Sequence, residues 1–304
     1  MIQFHKRIRR ALANGVCMCV FAGVASLAGC AQNKPGPVPI PGPNSGPLPT
    51  VQDVIAKYNA RVGRLEAIES PVELVIRATD ANGKETKEQG EGNLKMVRPR
   101  KIALRIDKVS QTFFWLGSND EKYWWFDLRG DEKVALVGTH SKATPEVAAR
   151  FGLPVHPVDL LDLAGVAPLE GAEKASISWA KDGRQVVVEL AGRWGVKRMT
   201  IEPKNGEASA VEILDAAGKV VVSSRLEKYE AVKVRGDAAA TARMATRLVA
   251  EVPSAKATVE LLIHTPVNNG AARIKDANFE YEELKRVLGA QKEVDLDLVE
   301  AQAP

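Results

Sequence analysis

The chain has 304 residues, 26% of them charged, with a formal net charge of +4. Lys6, Arg7, Arg9 and Arg10 account for all of that charge: no Asp or Glu precedes residue 30, and 42 basic residues less these four leave 38 against 38 acidic ones. The remainder is formally neutral and lacks the basic footprint of a nucleic-acid binder. The three cysteines are Cys17, Cys19 and Cys30, so nothing beyond residue 30 can form a disulfide or a thiolate metal site.

Residues 1–29 read as a secretory leader: a basic start, then an apolar run from Ala11 to Ala28 that is too short for a comfortable membrane span. The run ends in Leu27-Ala28-Gly29-Cys30, which resembles the lipobox of bacterial lipoproteins. That resemblance implies cleavage before Cys30, diacylation of its thiol and acylation of its new amine, an anchor worth about 0.8 kcal/mol per buried methylene. Ala31 and Gln32 follow, without the aspartate that commonly retains lipoproteins at the inner membrane, so the expected location is the outer membrane, with the domain facing the periplasm. Asn33–Thr50 carries seven prolines and three glycines, a composition that favours extended polyproline II. Residues 30–50 are therefore expected to be a lipidated tether and residues 51–288 the folded domain.

Thr50 and Asp53 make a helix cap. Val51, Ile55, Tyr58, Val62, Leu65 and Ile68 recur at spacings of three and four, predicting an amphipathic helix up to Ser70-Pro71. Gln52, Lys57, Arg61, Arg64 and Glu66 fall on its opposite, polar side. A strand over Val72–Thr79 follows, then a turn at Asp80-Ala81-Asn82-Gly83.

Four strands come next: Gly92–Val97, Lys101–Asp107, Thr112–Gly117 and Lys122–Leu128. The second alternates, with Ile102, Leu104 and Ile106 on one face. The third and fourth do not, because Phe113, Phe114, Trp115 and Leu116, then Trp124, Trp125 and Phe126, are apolar on both faces. A one-sided antiparallel sheet keeps a face for water. Here something apolar must cover both sides: the helix Val51–Ile68 is expected on one and a cavity on the other.

Taken together, Asp80-Ala81-Asn82-Gly83, Gly90-Glu91-Gly92-Asn93-Leu94, Val97-Arg98-Pro99 and Trp124-Trp125-Phe126, behind an N-terminal helix, resemble the LolA/LolB-type periplasmic lipoprotein carriers and the related LppX-like lipid-binding lipoproteins. The resemblance is best over residues 51–130. It implies a mainly β fold with some α: a curved, unclosed antiparallel half-barrel of about eleven or twelve strands, with an N-terminal helix and lid helices. It also implies a hollow for the acyl chains of a lipid or lipoprotein. Candidate lining residues are Leu104, Phe113, Trp115, Trp125 and Leu161. Arg98 stands where the soluble carriers place an arginine that bonds the lid helices; the plainer reading is a strand-end arginine facing water. Val109 stands where the anchored receptors present an apolar residue to the bilayer, or is simply a loop valine.

After a short strand at Lys133–Val137, helix signals return. Thr144-Pro145-Glu146 caps one short helix through Phe151, and Pro157 opens another carrying Val158, Leu160, Leu161, Leu163 and Ala164. Strands resume at Ser176–Lys181, Gln185–Leu190, Val196–Glu202, Ala210–Asp215, Val220–Tyr229, Met244–Glu251 and Thr258–Thr265, with hairpin signals at Asp182-Gly183 and Asn205-Gly206. Phe279 and Tyr281 suggest a last short strand, and residues 289–304 a loose tail.

Catalytic motifs are missing. Beyond residue 30 the histidines are His140, His156 and His264, with no His-Glu-x-x-His helix, nucleophile elbow or phosphate loop. The expectation is a non-enzyme with no catalytic residues, no cofactor and no metal: a membrane-anchored carrier or receptor for acyl chains. The alternative is a structural lipoprotein that uses the same fold with a filled core and binds a periplasmic protein.

Overall fold

The computed structural model describes residues 46–298, apart from 80–81, 110, 145–146, 148–156, 235–236 and 271–272. The leader, Cys30 and most of the tether lie outside them, as does most of the helix expected after Thr144. Helix α1 (Val51–Gly63) starts where expected: Thr50 Oγ1 accepts from the amide of Asp53 at 3.2 Å. It buries Val54, Ile55, Tyr58 and Val62. It stops earlier than the periodicity predicts. Leu65 lies beyond its end, and Ile68, Ser70 and Pro71 belong to strand β1 (Ala67–Thr79). Pro71 is tolerated inside that strand because it falls in a gap between partners: β14 (Val267–Asn268) takes Ile68 and Glu69, and β13 (Ala257–Ile263) takes over only at Val72. No neighbour asks for the missing N–H there, while the Pro71 carbonyl accepts from the His264 amide at 2.9 Å.

The four strands of the aromatic stretch form as β2 (Glu85–Val97), β3 (Lys101–Lys108), β4 (Gln111–Ser118) and β5 (Lys122–Asp127), followed by β6 (Val134–Thr139). The second run forms as β7 (Ser176–Trp179), β8 (Val186–Ala191), β9 (Gly195–Glu202), β10 (Glu207–Asp215), β11 (Val220–Val234) and β12 (Asp237–Val252), then β13 and β14. With β15 (Lys292–Asp295) they make one sheet of fifteen strands, ordered 15-6-5-4-3-2-1-13-12-11-10-9-8-7, with β14 off the path on β1 and β11. The path does not return on itself, so the barrel is unclosed. Neighbours are antiparallel except at β15–β6 and β11–β14. Register shifts at Ile106/Asp107, Ala208/Ala210, Ile213/Leu214 and Val232/Val234 mark bulges, which bend the strands that carry them.

β1 sits at the join of the two halves, paired to β2 on one side and β13 on the other, so residues nearly two hundred positions apart lie edge to edge. Strands β2 and β3 approach closely at Gly92, where a Cβ would stand 1.8 Å from the Arg105 carbonyl oxygen. Only glycine fits there.

The two-faced apolarity of β4 and β5 is explained by what covers each side. On the inner face Phe114 and Leu116 join a large core with Leu94, Ile102, Leu104 and Ile106 from neighbouring strands, Tyr58 and Val62 from α1, and the leucines of 160–163. On the outer face Trp124 and Phe126 are fully buried beneath Tyr281 and Leu284. Those two come from helix α3 (Tyr281–Leu288), so the expected strand at Phe279 and Tyr281 does not form: Phe279 ends a 3-10 turn (Asp276–Phe279) and Tyr281 opens the helix. The tail is not loose throughout, since Lys292–Asp295 pairs in parallel with β6.

Candidate functional site

The inner face of the sheet is the place where the fold could hold a ligand, and a short segment covers it. A 3-10 turn (Pro157–Asp159) runs into α2 (Leu160–Leu163), and the chain continues to Leu169. Leu160, Leu161, Leu163, Ala164, Val166 and Leu169 are all buried in the central core. This plug is fixed from α1, from the β8–β9 hairpin and, at the Leu163 carbonyl, by Ser224 Oγ of β11, which donates to it at 2.7 Å.

On the α1 side the partners are main-chain carbonyls. Tyr58 Oη donates to the Ala167 carbonyl at 2.9 Å, Asn59 Nδ2 donates to the Leu169 carbonyl at 2.9 Å, and Asn59 Oδ1 accepts from the Leu169 amide at 2.8 Å. Arg61 reaches furthest. Its Nη2 donates to Gly165 at 2.7 Å, its Nε to Gly206 at 2.9 Å and its Nη1 to Arg243 at 3.0 Å, all carbonyl oxygens. The guanidinium lies between the rings of Tyr58 and Tyr229, at 4.9 and 5.6 Å from their centroids. The polar-side position expected for Arg61 is therefore corrected: it is 9% exposed and ties helix, plug and sheet together. The signal was its spacing, three residues after Tyr58 on the margin of the apolar stripe.

On the other side the plug meets the β8–β9 hairpin. Trp194 Nε1 donates to both carboxylate oxygens of Asp159, at 3.0 and 3.1 Å, and Lys197 pairs with Asp162. Asp159 is 5% exposed. Burial pushes its carboxyl up to about 7, against the opposing pull of the indole bond, with the nearby Asp162 charge adding to the rise. Burial also raises Tyr58, which stays a neutral phenol.

Of the candidate lining residues, Leu104 and Leu161 share the buried core on the inner face, and Phe113 and Trp125 pack at its margin. Trp125 stacks on Phe114 with centroids 4.6 Å apart, and Phe113 lies under the cations of Lys108 and Arg129. Trp115 is not with them. It is paired with Arg105 on β3 and packs on the outer side with Phe279 and Ala103. Two concavities, of about 230 and 420 Å³, are also on the outer side, lined by Glu69, Asn93, Lys95 and Arg105, and by Pro71, Thr265 and Asn269. Between sheet and helices the plug's leucines lie where a hollow was expected.

Arg98 donates from Nε to the Leu65 carbonyl at 2.9 Å and from Nη2 to the Gly63 carbonyl at 3.1 Å. It satisfies the open end of α1 rather than the plug. Val109 sits at the tip of the β3–β4 hairpin, 92% exposed, with φ of 50°. His140 Nε2 donates to the Asn119 carbonyl, 2.7 Å away, and burial lowers the ring's proton affinity. His264 lies 3.2 Å from Glu73 on the surface. No group of three or more metal-ligating side chains is present among the described residues, and no helix among them is long and apolar enough to cross a membrane.

No protein-family model matches the chain, and no curated protein matches it. Solved structures do. A DUF1329 family protein from Desulfovibrio piger is 12% identical with a TM-score of 0.51, covering 77% of this chain and 98% of its own. A LolA superfamily protein from Nitrosomonas europaea is 12% identical with a TM-score of 0.48, covering 77% and 99%. A putative outer membrane lipoprotein-sorting protein domain from Vibrio parahaemolyticus is 11% identical with a TM-score of 0.49, covering 79% and 99%. The likeness is one of fold, a mainly antiparallel, unclosed half-barrel with an N-terminal helix.

Proposed function

We propose that this chain is a lipoprotein of the cell envelope, anchored through Cys30 to the outer membrane, that handles the acyl chains of a lipid or lipoprotein as carrier or receptor. No bond is made or broken; the driving force is the difference in apolar burial between donor, protein and membrane. One observation carries the reading: a continuous apolar wall on the inner face is covered by a short plug whose Leu160, Leu161 and Leu163 are all buried against it. A hydrocarbon chain can replace those side chains at little cost, because both offer the wall the same kind of surface. Binding is then an exchange of plug for chain. Leu104 and Trp125 lie on the wall, Leu161 is the side chain displaced, and Arg98 and Arg61 hold the helix from which the plug hangs. Val109, at the tip of its hairpin, is the residue that touches the bilayer.

The packed inner face also favours a second reading, a tethered lipoprotein that keeps its core filled and binds a periplasmic protein. Native mass spectrometry separates the two. The Cys30→Ser chain, purified from the envelope without detergent, carries acylated species or takes up palmitate on the first reading. Clean protein that takes up none supports the second.

A further inference from the structure

The two sides of the plug differ in how they respond to protons. The α1 side is held through carbonyl oxygens, which do not titrate. The hairpin side is held through the carboxylates of Asp159 and Asp162. Between them the chain turns at Gly165, whose φ of 65° is glycine's own region, with its carbonyl pinned by Arg61. Just before that turn Ser224 Oγ on β11 also donates to the Leu163 carbonyl at 2.7 Å, so the titrating ties are confined to Asp159 and Asp162, along the β8–β9 hairpin. We propose that Asp159 and Trp194 form a proton-dependent latch on the hairpin side of the plug, so that acid tightens it and neutral pH loosens it. This gives the exchange described above a regulator and rests on that reading for its purpose, though not for its chemistry.

The direction follows from burial. With the plug closed, Asp159 is shut away from water with a single indole N–H as its side-chain donor, a poor substitute for solvent around a full negative charge. The groups facing it are Asp162 on the plug, which opposes ionisation, and Arg193 and Lys197 on the hairpin, which favour it. Lys197 is engaged with Asp162, and Arg193 Nη1 donates to the His140 carbonyl at 3.1 Å, so neither is committed to Asp159. Strands β4 and β5 offer apolar Phe114, Leu116 and Trp125, and Tyr123, its phenol pushed up to about 12 by burial, packs with Trp194 rather than against Asp159 itself. With the plug lifted, Asp159 is an ordinary solvated carboxyl. The closed plug therefore binds a proton that the open one releases, and closure weakens over the interval between the two proton affinities, from about pH 4 to about pH 7. Above that interval both forms are ionised and the dependence stops.

Amide hydrogen exchange of the purified full chain, with no lipid added, tests this. After division by intrinsic exchange rates, opening of residues 160–164 rises by about tenfold per pH unit between pH 5 and 7 and levels off above pH 8, while residues 166–169, tied to α1, show no such slope. In Asp159→Asn the slope vanishes, because the amide keeps the indole bond and carries no charge. In Trp194→Phe the carboxylate loses its donor, and the slope continues to higher pH. Exchange that is flat with pH in the unaltered chain, or an undiminished slope in Asp159→Asn, overturns the latch. Palmitate uptake by the same samples keeps the two ideas apart: uptake with flat exchange sinks the latch alone, and a pH slope without uptake sinks the acyl reading alone.

Discussion

Arg61 Nη2 lies 2.7 Å from the carbonyl oxygen of Gly165, joining the first helix to a plug 104 residues further along the chain. Two more carbonyls complete the guanidinium's set, from Gly206 and Arg243. Removing the side chain leaves three buried acceptors without donors. Arg61→Ala is expected to lower unfolding stability by about 3 kcal/mol or more, read as a drop in the urea midpoint. Arg61→Lys recovers a minor part, since a single ammonium cannot span the three. A change within ~0.5 kcal/mol would show that the plug is held by its leucines alone.

The close approach of β2 to β3 gives a sharper test. Gly92→Ala puts a methyl into the Arg105 carbonyl. Loss of roughly 3 kcal/mol or more is expected, since backbone must move to make room. The comparison is Gly63→Ala, whose Cβ meets nothing within 4 Å and which should fold normally by circular dichroism.

Covering of the outer face by α3 predicts that Tyr281 is energetically a core residue, although it sits at the start of a surface helix. Its ring stacks on Phe126 with centroids 5.7 Å apart and lies 5.8 Å from Trp124. Tyr281→Ala should cost about 3–5 kcal/mol and expose Trp124, seen as a red shift in fluorescence. Val287, 63% exposed on the same helix, should change stability by less than about 0.5 kcal/mol when made Ala.

Val109 occupies a left-handed backbone region that a β-branched residue tolerates poorly. Val109→Asn should stabilise the fold by about 1 kcal/mol, because asparagine accepts that φ. The same change removes the exposed apolar tip, so vesicle binding of the chain should fall if that tip meets the bilayer. A more stable variant with unchanged vesicle binding assigns Val109 to loop geometry alone.

Cys30→Ser tests the anchor. The variant should move from the membrane to the soluble fraction on cell fractionation. Continued sedimentation with membranes would mean that some other part of the chain holds it there.

Most strands are legible because their runs alternate between turn signals, β4 and β5 excepted, and Asp182-Gly183 and Asn205-Gly206 turn the chain where those pairs predict. What escaped was set by partners distant in sequence. The stripe through Leu65 and Ile68 continues the helical spacing by accident: both residues are buried, but through β1 and the turn before it. Pro71 reads as a stop signal locally, and only the gap between β14 and β13 makes it a strand residue. At the C-terminus the signals were present and were outweighed by aromatic content. Glu282 and Glu283 in a first turn, Lys285 and Arg286 in a last turn, and Gly289 at φ 67° spell a helix, and Phe279 with Tyr281 looked like a strand. Arg61 was misplaced because a guanidinium on a helix margin gives no local hint that three carbonyls await it. Leu104 lies on the inner face that the alternation of its strand predicts, whereas Trp115 lies on the outer side, a parity that an all-apolar strand does not reveal.

Because α3 follows β4 and β5 only at Tyr281–Leu288, the aromatic outer face of those strands stays bare until the chain between them has been made. β1 likewise waits for β13 before its second edge is paired. A chain interrupted before residue 280 therefore presents Trp124, Phe126 and an open strand edge together, the combination that seeds clumping of nascent chains. Protection during biogenesis falls to whatever holds the unfinished protein, and native burial arrives only with α3.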